Sequence, residues 1–158
     1  MKNKLGFVGS ILGTCLTALG TIIMLLAFVV LLDILAAAGI TSPLALILMI
    51  FEILVFIVSL VLNIMSIVAT SNIGKMNNKK GLIISTIVFN FISAGLMIYA
   101  IVNQFSILNF LIALGLIASS ILLIIGLKNL KTEIAQLEAS KQPVETNEVK
   151  ETEQVIAE

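Results

Sequence analysis

A single polar stretch, Ser71 to Lys80 (SNIGKMNNKK), is the only strong interruption between Leu5 and Leu127. It carries Lys75, Lys79 and Lys80 and separates two apolar hairpins. A membrane span needs about 20 mainly apolar residues. The chain offers four such runs, at about 5–32, 44–70, 81–102 and 107–127. The first two exceed the requirement, and tilt or protrusion takes up the extra length. The expected fold is therefore all-α: a four-helix transmembrane bundle over residues 1–131.

The connections agree with this division. Gly39, Thr41, Ser42 and Pro43 are turn residues, and Pro43 suits the first position of the second helix. Asn103, Gln104 and Ser106 form a turn so short that the third and fourth spans must be antiparallel neighbours. A secretory signal has an apolar stretch of about 7–15 residues; the run behind Lys2 and Lys4 is longer, which predicts an uncleaved span. Cytoplasmic segments carry excess lysine and arginine. The N-terminal segment, the central loop and the segment starting Lys128-Asn129-Leu130-Lys131 hold lysines, and the other two connections hold none. These three segments fall on one side of a four-span chain. The expectation is a multi-pass protein of the plasma membrane with both termini cytoplasmic.

Beyond the fourth span, Leu127, Leu130, Ile134 and Leu137 recur at helical spacing. Residues 128–141 thus read as an amphipathic cytoplasmic extension. Its stripe suits a short oligomerisation seam or the lipid surface, or the helix simply frays after Ser140. Pro143 ends it, and 142–158 is acidic and poor in apolar residues, the composition of a disordered tail.

Composition excludes much chemistry. Only 11% of residues are charged and none is histidine, which removes the usual general base and the commonest metal ligand. The single cysteine, Cys15, lies among Ile11, Leu12 and Leu16 and reads as a buried, inert side chain. Gly6-Phe7-Val8-Gly9 lacks the Lys-Ser/Thr of a phosphate loop. No catalytic, cofactor-binding or metal residues are expected, and the chain reads as no enzyme. With no basic patch beyond short loops, nucleic acid is not an expected partner. The expected partners are the lipid bilayer and either a second copy or another membrane protein.

Three sets of residues stand out within the spans. Gly9, Gly13, Thr17 and Gly20 form a small-residue face on the first, the kind that lets helix backbones approach closely in lipid. Gly115, Ser119 and Gly126 form a weaker counterpart on the fourth. The partner of the first face is open: another span or another copy. A polar stripe, Ser59, Asn63, Ser66 and Thr70, runs along the second span with Glu52 at its outer end, answered by Thr86, Asn90 and Ser93 on the third. Counted from the cytoplasmic ends, Asn63 and Asn90 differ in depth by roughly 3 Å. Amides at these depths suit a hydrogen bond across the bundle, and the stripe reads either as structural glue or as a narrow wet pathway. Asp33 and Glu52 are the only acids of the apolar region. If the first hairpin is symmetric about Ser42, they stand at nearly equal height with no lysine beside them. They are solvated acids at the interface or a candidate cation or proton site.

The lysine-rich turn KMNNKKG, the apolar span after it, the short turn and the final span ending GLKNLK, together with the Gly-rich first span, resemble the small four-span membrane proteins of Gram-positive bacteria. That resemblance implies a bacterial plasma membrane and no defined activity. Small multidrug transporters, also four-span, carry an essential acid in the middle of the first span, where this chain has none. The leading expectation is a non-enzymatic membrane protein acting through helix–helix or tail-mediated interactions, such as an accessory subunit, an envelope-stress component or an immunity factor. The alternative is a small oligomeric transporter or channel using Asp33, Glu52 and the polar stripe.

Overall fold

The computed structural model describes residues 3–38, 43–103 and 106–139. They form five helices: α1 (Lys4–Ala38), α2 (Pro43–Thr70), α3 (Ile73–Asn78), α4 (Lys80–Asn103) and α5 (Ile107–Ala139). Lys2, Ser42, the end of the expected extension and the whole acidic tail lie outside the described residues. Four helices, all but α3, are long and apolar enough to cross a membrane. At 1.5 Å per residue, the 35 residues of α1 reach about 52 Å, well beyond the roughly 30 Å of a hydrocarbon core. Alanine is the strongest helix former, and α1 accordingly runs on through Asp33 and Ala36–Ala38. Pro43 opens α2, where its missing N–H costs nothing.

The short helix α3 departs from the expected polar loop. Asn72, in an extended conformation, caps it by accepting from the Gly74 N–H at 2.9 Å. Ile73 and Met76, three residues apart, both turn inward and are buried. They join Ala69, Ile83, Leu123 and Leu130 in one apolar cluster, with Leu127 and Ile134 packed against it. α5 therefore continues as one helix past Leu127, and Leu130 and Ile134 of its extension pack with Ile73 and Met76 of α3 in the same chain.

The four long helices form a ring in the order α1, α2, α4, α5; α1 packs mainly on α2 and α5, and α4 on the same two. Each long helix carries a buried seam at alternating steps of three and four residues. On α1 it is Gly6, Ser10, Gly13, Thr17, Gly20 and Met24; on α2 it is Phe56, Ser59, Asn63, Ser66 and Thr70. On α4 it is Ile83, Thr86, Asn90, Ser93 and Met97; on α5 it is Ile112, Leu116, Ser119, Leu123 and Leu130, with Gly126 in the same register. A mean step of about 3.5 residues, close to the 3.6 of an α-helix, keeps each seam facing its neighbours along the bundle.

Polarity is inverted relative to a water-soluble protein. Ser10, Thr17, Ser59, Asn63, Ser66, Asn90, Ser93 and Ser119 are wholly buried, while Leu26 and Leu44 are 64% and 68% exposed among many outward aliphatics. A soluble monomer rarely exposes an apolar patch beyond a few hundred Å². This surface fits hydrocarbon, and the chain is a multi-pass α-helical membrane protein in architecture.

Candidate functional site

Midway along the bundle, between the cluster around Met76 and a second apolar cluster around Phe56, Met97 and Leu116, lies a polar layer. Asn63 of α2 and Asn90 of α4 are both fully buried. Asn63 Nδ2 donates to Asn90 Oδ1 at 2.7 Å, and Asn90 Nδ2 donates back to Asn63 Oδ1 at 3.3 Å. Ser59 Oγ donates to Asn90 Oδ1 at 3.0 Å, and Asn63 Nδ2 also reaches the Ser59 carbonyl at 2.9 Å. Asn90 Nδ2 donates to Ser119 Oγ at 3.3 Å, and Ser119 Oγ donates to the Gly9 carbonyl at 2.8 Å. One connected network thus links α1, α2, α4 and α5. An amide has two donors and an acceptor oxygen, and here both amides use all of them.

Glycine makes the space for this layer. A Cβ on Gly13 would collide with Asn63 Oδ1 and come within 2.7 Å of Ser119 Oγ. On Gly9 it would press on Leu122 and on the Ser119 carbonyl, and on Gly20 it would strike the Phe56 ring. Gly126 lies so close to Gly6 that a Cβ would come within 2.9 Å of the Gly6 backbone. The small-residue face of α1 therefore meets α5 and α2 of the same chain. Thr17, on that face, returns its hydroxyl to the Gly13 carbonyl at 2.7 Å.

The rest of the stripe is disposed above and below the layer. Ser66 meets Ser10 Oγ at 2.7 Å, one turn nearer the lysine-bearing end. Thr86 Oγ1 donates to the Leu82 carbonyl at 2.9 Å and reaches Leu62 of α2 at 3.3 Å. Ser93, one turn the other way, is buried with no hydrogen-bond partner among the described residues. Near the lysine-bearing end, Asn3 donates to the Gly126 carbonyl at 2.9 Å and to Glu133 Oε2 at 3.0 Å, and its Oδ1 accepts from the Gly6 N–H. That clamp ties the chain start to α5. It was invisible in the sequence because two of its three partners are backbone groups, which carry no residue signature.

The acids are separated. A cavity of about 510 Å³ opens at the far end of the bundle, lined by Met24, Ala27, Met49, Glu52, Ser106 and Asn109 among others. Glu52 is half-buried there, level with Met24 and Ala27 of α1. Asp33 is exposed, six residues beyond Ala27, hence about 9 Å further out along α1. The expected equal height of the two carboxylates is not what the helices provide, because α1 continues as helix past Asp33 to Ala38. Cys15 is exposed on the outer surface of α1 rather than buried in the bundle. Among the described residues, no group of three or more His, Cys, Asp or Glu side chains is placed to hold a metal. No protein-family model, curated protein or solved structure matches this chain.

Proposed function

We propose that this chain is a non-enzymatic plasma-membrane protein that works by binding another membrane protein, with both termini cytoplasmic. The observation that carries the reading is the closed polar layer: the polar side chains facing the bundle axis at Asn63 and Asn90 are paired with one another and sealed between two apolar clusters. Glue of this kind fixes which faces meet, and it leaves the exposed apolar outer faces as the surface on which a partner is recognised. Accessory subunit, envelope-stress component and immunity factor are the forms such a role takes. A photoreactive residue at Leu26, Ile47, Ile98 or Leu114, one on each long helix, is expected to crosslink a protein from one face only in the native membrane. Crosslinking to lipid alone from all four positions overturns the reading.

A second reading, a small transporter, is favoured by one feature, the cavity at Glu52. Glu52→Gln retains shape and hydrogen bonding but removes the titratable charge. In proteoliposomes the purified protein is expected to carry no proton or monovalent-cation flux above empty vesicles. A flux that Glu52→Gln abolishes replaces the binding reading with transport.

A further inference from the structure

The lysine-bearing end contains a second opening, a cavity of about 410 Å³ between the start of α4, at Lys80 and Ile84, and the stretch of α5 from Leu127 to Lys131. Three ammonium side chains, Lys80, Lys128 and Lys131, line it together with Ile84 and Leu127. Lys128 and Lys131 share one face of α5, three residues apart. The first carboxylate after them, Glu133, is engaged by Asn3 of the neighbouring chain start. Three like charges in one groove repel unless an anion joins them.

We propose that this groove binds the phosphate-bearing headgroup of an anionic phospholipid. The arrangement of the lining favours a lipid over a free anion. Ile84 lies one helical turn beyond Lys80, towards the middle of the span, and is 53% exposed. Val88 continues the same face of α4, and Ile124 lies one turn from Lys128 on α5 in the same direction; both are exposed. The charges therefore sit at the aqueous rim, and an apolar track leads from them along the outside of the bundle. A phosphodiester with acyl chains uses both parts, as basic pockets between membrane helices do for anionic headgroups. A free phosphate, or the carboxylates of residues 145–158 of this chain, would use only the first. The inference depends on the chain spanning a membrane, and not on whether it acts by binding a partner.

The test uses the purified full chain in neutral detergent, with native mass spectrometry after addition of phosphatidylglycerol, cardiolipin or phosphatidylcholine. The anionic lipids are expected to be retained at concentrations at least tenfold lower than phosphatidylcholine. K80A/K128A/K131A is expected to erase that preference, at about fivefold per lysine. K4A/K75A/K79A removes equal charge from the same end and is expected to leave the preference in place. Should the triple variant fail to fold, Lys80→Gln and Lys128→Gln singly are each expected to weaken anionic-lipid binding about fivefold. No preference in the wild type, equal loss in both triple variants, or no loss in the single variants overturns the proposal. So does displacement of the lipid by equimolar inorganic phosphate, which would mark a free-anion site. Anionic-lipid binding that emerges only on deletion of residues 143–158 would make the tail the occupant and overturn it as well.

Discussion

At position 13 the absence of a side chain decides whether the polar layer can form. A methyl group there would occupy the place of the Asn63 amide oxygen. Either the layer breaks or α1 moves away from α2 and α5, and overpacking of this kind costs about 1–3 kcal/mol. Gly95, on α4, has nothing within 4 Å of a Cβ, so its replacement adds only helix propensity. Ser93 differs again: its buried hydroxyl has no partner among the described residues, and removing it relieves a desolvation cost of about 1–3 kcal/mol. In a reversible detergent-unfolding assay, Gly13→Ala is expected to destabilise, Gly95→Ala to be neutral or slightly stabilising, and Ser93→Ala to be neutral or stabilising. Equal losses for the two glycine variants would remove the steric account of position 13. The Asn63–Asn90 pairing was legible in the sequence, because depth along two helices is a matter of counting residues. Ser119 as the link to α1 was not, because its acceptor is the carbonyl of Gly9.

Among the elements, the four long helices were legible and α3 was not, for a physical reason. Spans announce themselves by apolar length, which is a property of the sequence alone. A six-residue helix built from IGKMNN has poor intrinsic propensity and is far below the length at which isolated helices persist. It forms because the Asn72 cap and the burial of Ile73 and Met76 against α5 hold it. The periodic stripe of the α5 extension was equally readable, yet its partner was hidden in what read as a loop. Met76→Ala leaves a gap beside Leu123 and Leu130 and is expected to cost about 2 kcal/mol. Because α3 is what the extension packs on, amide exchange over residues 128–139 is expected to rise in this variant while exchange across Asn63 and Asn90 stays unchanged. If exchange in 128–139 does not respond, α3 is not what holds the extension.

For the molecule as a whole, inverted polarity gives the environment and charge gives the expected direction. Every described lysine, Lys4, Lys75, Lys79, Lys80, Lys128 and Lys131, lies at the α3 end of the bundle. At the opposite end the described residues carry Asp33 and Glu52 and no cation. Lysine retained near span ends resists translocation, so the α3 end is expected in the cytoplasm. Position 77 is exposed on α3, position 106 immediately precedes α5 at the other end, and position 42 falls in the sequence between α1 and α2. In a Cys15→Ala background, which removes the one native thiol, a single cysteine is placed at Ser42, Ser106 or Asn77. An impermeant thiol reagent applied to intact cells is expected to label the first two and to leave the third unlabelled until the cells are opened. Ser42 and Ser106 must behave alike, because in a four-span chain the α1–α2 and α4–α5 connections fall on the same side. Labelling at Asn77 with protection at both serines would reverse the orientation and move the lysine groove to the outer leaflet. Labelling at only one serine would mean that a helix does not cross, and the four-span architecture itself would fall.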